Sequence, residues 1–211
     1  MALAVQGQGS INPNPNGSSY TWNFNSGASG TNKWLFIAVT MPSTVNFSSA
    51  TYDGVAMTLI HNQLFSGYSQ RQAFYILENP TSGIGKDLVL TFSGSQFSNI
   101  SIYRASLTDC GGAGVRGVSG GSATPNSDNL AGVTTGSFIY ATGISDNAQS
   151  NPYTIDGNSE ATEFNGHNTN KIVEGAMSAA IVAGGTINIQ TKADFGNITN
   201  NHVELLEAAG S

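Results

Sequence analysis

Charge is what this 211-residue sequence has least of. Asp, Glu, Lys and Arg make up 9% of it, against about 25% in an ordinary soluble domain. Only seven residues are Lys or Arg, scattered from Lys33 to Lys192, and the net charge is −6. No basic run can neutralise a row of phosphates, so a nucleic-acid partner is not expected. Cysteine is nearly missing too. With Cys110 alone there is neither an intrachain disulfide nor a cysteine zinc cluster. Cys110 follows Asp109 and precedes glycines, without the His or electropositive setting of a reactive thiol. Long apolar runs are absent as well. The longest, Trp34 to Val39, is far too short to span a bilayer, so no membrane partner is expected. The opening MALAVQGQGS lacks the basic start and sustained apolar stretch of a signal peptide.

What remains is a polar but mostly uncharged chain. Twenty-six glycines sit among many Asn, Ser and Thr, and 39% of residues are hydrophobic. A chain this long can bury roughly 70% of its unfolded surface, enough for a core without disulfides or metals. Disorder would require high net charge and few aromatics, and neither holds.

Alternation begins in SYTWNF, where Tyr20, Trp22 and Phe24 share one face of a strand. KWLFIAVTM (33–41) is a continuous apolar strand ended by Pro42. QAFYILEN (72–79), KDLVLTFSG (86–94) and ISIYRASLT (100–108) follow, with turn residues in each gap. Residues 111–132 carry no periodicity and read as a long internal surface loop. SFIYATGIS (137–145), YTID, EATEF, KIVEG, TINIQTKA and HVELLEAA resume the strand pattern. AMSAAIVAG reads as one arm of a hairpin, because Gly184-Gly185 and the β-branched TINIQ follow it. The fold expected is all-β: a jelly-roll-like antiparallel β-sandwich. Its expected limits are an extended N-terminal arm over 1–18 and a single sandwich domain over 19–211. The halves echo each other, WLFIAVTM before SATYDGVAMTL and SFIYATGIS before YTIDGNSEATEF. That echo reads as two sheets of similar build.

SATYDGVAMTLI (49–60) decides between chemistry and turn. Both central residues of a type I′ turn need positive φ, which Asp tolerates and Gly adopts freely. Asp53-Gly54 is therefore expected to close a hairpin. A dyad with His61 would require another strand to bring the two together. The same stretch carries a resemblance. Thr51-Tyr52-Asp53-Gly54-Val55-Ala56-Met57-Thr58, the turn from Tyr75 to Gly83 and the strand from Leu90 to Gly94 resemble a β-sandwich family. That family occurs in tailed-phage structural proteins and some secreted bacterial proteins. The resemblance covers nearly the whole chain, with Asp53 where the pattern has glycine. Its motifs are scaffold motifs, so it implies a fold and brings no catalytic residues.

Candidate chemistry is thin. Gly117-Val118-Ser119-Gly120-Gly121 matches the nucleophile-elbow pattern, which works only on a strand-to-helix turn, and no helix follows. Glu160 and Glu163 point to opposite faces of a strand, which argues against a glycosidase pair. His61, His167 and His202 have no carboxylate spacing that suggests zinc, and Asp53, Asp128, Asp146 and Asp156 form no calcium loop. No metal, cofactor or catalytic residue is expected. Tyr68 and Tyr153, beside loops rich in Ser, Gly and Asn, are the candidates for surface or ligand contact. The function expected is that of a non-enzymatic virion protein on the outer surface of a tailed-phage capsid. It would decorate or cement the shell through interfaces with the major capsid protein and with copies of itself, as a homotrimer. The alternative is a carbohydrate- or receptor-binding module, on a tail fibre or secreted, gripping surface glycans.

Overall fold

The computed structural model describes residues 2–27, 29–65, 69–96, 100–121, 127–145, 153–155, 158–160, 164–168, 171–191 and 198–208. Every regular element among them is a strand. The first nine are β1 (Ala4–Ile11), β2 (Gly17–Phe24), β3 (Trp34–Pro42), β4 (Phe47–Tyr52), β5 (Val55–Ala56), β6 (Thr58–Phe65), β7 (Gln70–Glu78), β8 (Lys86–Gln96) and β9 (Ser101–Thr108). They form a five-stranded sheet, β1-β9-β3-β7-β6, and a four-stranded sheet, β2-β8-β4-β5. The pairings are antiparallel. Leu35, Ile37, Val39 and Met41 of β3 meet Ala50 and Tyr52 of β4 and Leu88, Leu90 and Phe92 of β8 in one core. This is a β-sandwich. Phe36, Ala38 and Thr40, on the other face of β3, are buried as well. Burial on both faces is why β3 reads as a continuous apolar run.

The remaining strands are β10 (Cys110–Gly121), β11 (Ser127–Val133), β12 (Phe138–Ser145), β13 (Tyr153–Ile155), β14 (Asn158–Glu160), β15 (Phe164–Asn168), β16 (Lys171–Met177), β17 (Gly185–Thr191) and β18 (Ile198–Glu207). Their sheets run β10-β18-β12-β16-β15 and β11-β17-β13-β14. Leu130, Ile139, Ala141, Tyr153, Ile155, Ile187 and Ile189 build the core between them. Adding nine to each strand number of the first pair of sheets reproduces the second. The chain accordingly divides into two compact units, Ala4–Cys110 and Gly111–Ser211 with Met1–Leu3. The echo between halves is thus two whole sandwiches of one topology, not two sheets of a single sandwich over 19–211.

Three local expectations change. The N-terminal arm is not free, because Ala4–Ile11 pairs with β9 along its length. The stretch expected as a loop over 111–132 is strand at both ends, β10 and β11, with 122–126 outside the described residues. Strand pairing uses the backbone alone, so a glycine-rich segment can pair without showing a side-chain period. Glycine here also permits close approach: a Cβ on Gly111 would lie 2.7 Å from the Glu207 carbonyl oxygen and 2.9 Å from Ala208 Cα. Finally, AMSAAIVAG is not a hairpin arm. β16 ends at Met177, and the chain folds back through Ile181 N–H to Ser137 C=O and Gly136 N–H to Ile181 C=O, both 2.8 Å.

Candidate functional site

The Asp-Gly pair is a turn. Asp53 and Gly54 have φ of 51° and 77°, and Tyr52 pairs with Val55 across them, as a two-residue type I′ hairpin requires. Lys86 Nζ lies 2.9 Å from Asp53 Oδ2 and holds that carboxyl below its ordinary pKa through their hydrogen bond. Beneath the turn, the Tyr52 hydroxyl accepts from Ser26 N–H at 2.9 Å and donates to the Phe24 carbonyl at 3.1 Å. Burial raises the Tyr52 phenol pKa. Asn25 Oδ1 accepts from Gly27 N–H and Gly83 N–H, at 2.9 and 3.0 Å, and so ties two loops at this end of the unit together. Every polar group here is spent on holding the scaffold. His61 is not part of it: it stacks on Phe74 in the other sheet, ring centroids 5.2 Å apart.

Arg104 and His202 stand at corresponding positions of the two sandwiches. Arg104 comes three residues before Leu107, which opposes Trp34 at the start of β3. His202 comes three before Leu205, which opposes Phe138 at the start of β12. In the first unit the Arg104 guanidinium sits 4.5 Å from the centre of the Phe24 ring and 5.7 Å from that of Trp22. Burial lowers the Arg104 pKa, while Tyr52 and Tyr103 pull it back up. In the second unit His202 Nε2 lies 2.8 Å from Asp128 Oδ2. Asp128 holds the place of Trp22: these two residues oppose Ile189 and Leu88, which oppose Ile155 and Tyr52 just before the two Asp-Gly pairs. Cation on aromatic ring in one copy is thus imidazole on carboxylate in the other. His202 has no exposed surface, and its Nδ1 has no hydrogen-bond partner among the described residues. Glu204, also fully buried, accepts from Thr134 N–H at 2.7 Å. A His–carboxylate pair can orient a general base, but here the imidazole is fully buried and only the carboxylate reaches the surface, at 20% exposure. Its role is cross-sheet pairing, at a position the sequence reading left as an ordinary strand histidine.

The other candidates disperse. Tyr153 is fully buried in the core of the second unit, so it offers no platform for a ligand. Its neighbours Asn151 and Pro152 suggested a loop, but β13 begins at the tyrosine itself. Tyr68, Asp146, Asp156 and Glu163 lie outside the described residues. Gly117 to Gly121 fall within β10 and not on a strand-to-helix turn. Cys110 is buried. Among the described residues no group of three or more His, Cys, Asp or Glu could hold a metal.

Apolar side chains left in water are the feature the sequence reading missed. Val55 is 51% exposed, Leu59 45%, Leu64 42%, Ile84 94% and Val182 90%. Val55, Leu59 and Leu64 line one side of the first unit, where β5 ends one sheet and β6 ends the other. Because β5 is two residues long, it cannot shield the flank of β6. Ile84 and Val182 stand in the same connection of the two units, before β8 and before β17 respectively. The missed signal was LIHNQLF, strand-like but with no charge on its outer face.

No known protein family and no curated protein matches the chain. Among solved structures it is similar to a variant of BuGH86 in complex with neoagarooctaose, at 10% identity and a TM-score of 0.30 over 93% of this chain and 31% of that one. It is also similar to BpGH86A, a β-porphyranase of glycoside hydrolase family 86 from the human gut bacterium Bacteroides plebeius. There the identity is 14% and the TM-score 0.32, over 93% of this chain and 38% of that one. The chain thus spans about a third of the length of either structure. At these scores neither likeness bears on what the chain does.

Proposed function

We propose that this chain is a non-enzymatic structural protein of a tailed-phage virion, decorating or cementing the outside of the capsid. Its partners on this reading are the major capsid protein and further copies of itself, and its mechanism is interface burial. The observation that carries the proposal is the set of apolar side chains held in water: Val55, Leu59 and Leu64 on strands, and Ile84 and Val182 in the connections before β8 and β17. Burying one such side chain fully is worth about 1.5–3 kcal/mol. A shell contact of about 1,600 Å² needs only a few as anchors within a polar rim. The low charge of the chain suits close packing against a lattice of neighbours, and the resemblance to tailed-phage structural sandwiches supports the setting. We read each unit further as a jelly roll, since its strands nest first with ninth, second with eighth and third with seventh.

The test is quantitative mass spectrometry of purified virus particles, with copy number set against the major capsid protein. Hundreds of copies per particle are expected. A handful would move the protein to the tail and favour receptor binding, and complete absence would overturn the virion reading.

A further inference from the structure

In the first unit β1 ends one sheet and β2 ends the other. Arg104 and Ser106 of β9, the neighbour of β1, turn toward the core, because they oppose its members Ile37 and Leu35. On their other side they oppose Gly9 and Gly7 of β1, in the regular ladder beyond the bulge at Val5–Gly7. Directly opposed residues of an antiparallel pair share a face, so a side chain at position 7 or 9 would lie beside Ser106 or Arg104. A Cβ on Gly9 would stand 3.4 Å from Arg104 Nε, whereas one on Gly7 would meet no described atom within 4 Å. β1 therefore leaves a notch beside Ser106 where a side chain could have been.

Two polar atoms at this notch have nothing to bond. Ser106 has no exposed surface, yet its Oγ has no hydrogen-bond partner among the described residues, and neither has the buried Nε of Arg104. The guanidinium rests on the Phe24 and Trp22 rings and forms no ion pair with a described carboxylate. Buried polar groups are nearly always satisfied, and buried charges are paired. The second unit shows which chemistry fits. There the place of Arg104 is taken by His202, on the Asp128 carboxylate, and the place of Ser106 by Glu204, itself a carboxylate, accepting from Thr134 N–H. One copy carries its own carboxylates where the other has free donors and space.

We propose that the notch between Gly7 and Ser106 binds a carboxylate group of another molecule, held by the Arg104 guanidinium and the Ser106 hydroxyl. The planar guanidinium matches both oxygens of a carboxylate, and Ser106 Oγ–H adds a further donor. The space is that of one side chain, so the carboxylate arrives on a slim stem, as in a small organic acid or an acidic side chain of a partner protein. The site goes beyond the virion reading and does not depend on it.

The experiment is an NMR titration of the full chain with acetate at constant ionic strength, with chloride as the control. Acetate is expected to shift the Arg104 Nε–H signal and the Gly7 and Gly9 amides saturably, and chloride is not. Ser106→Ala removes a hydroxyl that bonds nothing in the free protein, so it should leave the fold intact and weaken acetate binding about tenfold. A carboxylate built into position 7 is the second arm, since diagonal neighbours across a strand pair are about 7–8 Å apart and Arg104 is within reach of a glutamate side chain. Gly7 has no positive φ, so substitution suits the strand. Gly7→Glu is expected to close the site to acetate and to unfold at higher urea than its isostere Gly7→Gln, a difference that Arg104→Gln removes. N-acetylglutamate α-amide, whose only charge is the side-chain carboxylate, separates the sources: binding tighter than acetate assigns a protein side chain, and weaker binding assigns a small free acid. The proposal is overturned by the absence of a saturable shift, by an equal response to chloride, by wild-type binding in Ser106→Ala, or by equal stability of Gly7→Glu and Gly7→Gln. Water alone would then serve the two donors.

Discussion

Replacing Tyr52 by phenylalanine isolates one hydroxyl from the packing around it. Tyr52 has no exposed surface, and its ring stacks on Phe24 with centroids 5.0 Å apart. The Phe variant keeps that contact and creates no cavity. What it loses is the acceptor for Ser26 N–H and the donor to the Phe24 carbonyl, at 2.9 and 3.1 Å. Ser26 is fully buried, so its stripped N–H bears a desolvation cost of about 1–3 kcal/mol. With a urea slope of about 1–2 kcal/mol/M for a unit of this size, the midpoint should fall by about 1 M. Tyr52→Ala adds the lost ring and should cost about 3–5 kcal/mol more. Tryptophan fluorescence is the natural probe, because both tryptophans of the chain, Trp22 and Trp34, lie in the unit Ala4–Cys110. If Tyr52→Phe unfolded at the wild-type midpoint while Tyr52→Ala did not, the hydroxyl would contribute nothing. The account of how the Asp-Gly hairpin is anchored to the Ser26 loop would then be wrong.

Two further outcomes are expected. Asp53 has a folded-state pKa held down by Lys86, so its contribution is present above the ordinary carboxylate pKa and lost as pH falls through the lowered one. Asp53→Asn should keep the turn and show a smaller loss of stability than wild type between about pH 6 and pH 3, read as the shift in urea midpoint; equal losses would mean that the ion pair is fully screened. His202→Ala removes the buried partner of Asp128, whose carboxylate keeps 20% exposure, so a cost of about 2–4 kcal/mol is expected, below the full penalty for a sealed ion pair. Hydrogen exchange of the β12 and β18 amides measures it, and protection unchanged from wild type would show that water replaces the imidazole.

Residue order alone determined the all-β class, most strand positions and the Asp53-Gly54 hairpin. These depend on neighbours in sequence: side chains alternate along a strand, and positive φ is tolerated by few residue types. The apolar run of β3 and the alternation of Tyr20, Trp22 and Phe24 carried their burial within a few residues. The doubling of the sandwich was visible only as an echo, because the two copies share topology more than residues. Trp22 and Arg104 in one unit answer to Asp128 and His202 in the other. The two members of the His202–Asp128 pair lie 74 positions apart, a separation no local spacing can report. The tertiary structure alone decided that Tyr153 is core, that glycine-rich β10 is a strand, and that Val55, Leu59 and Leu64 face water. Each depends on which sheet ends where, and strand pairing is made by backbone groups common to every residue, so the side-chain order does not record it.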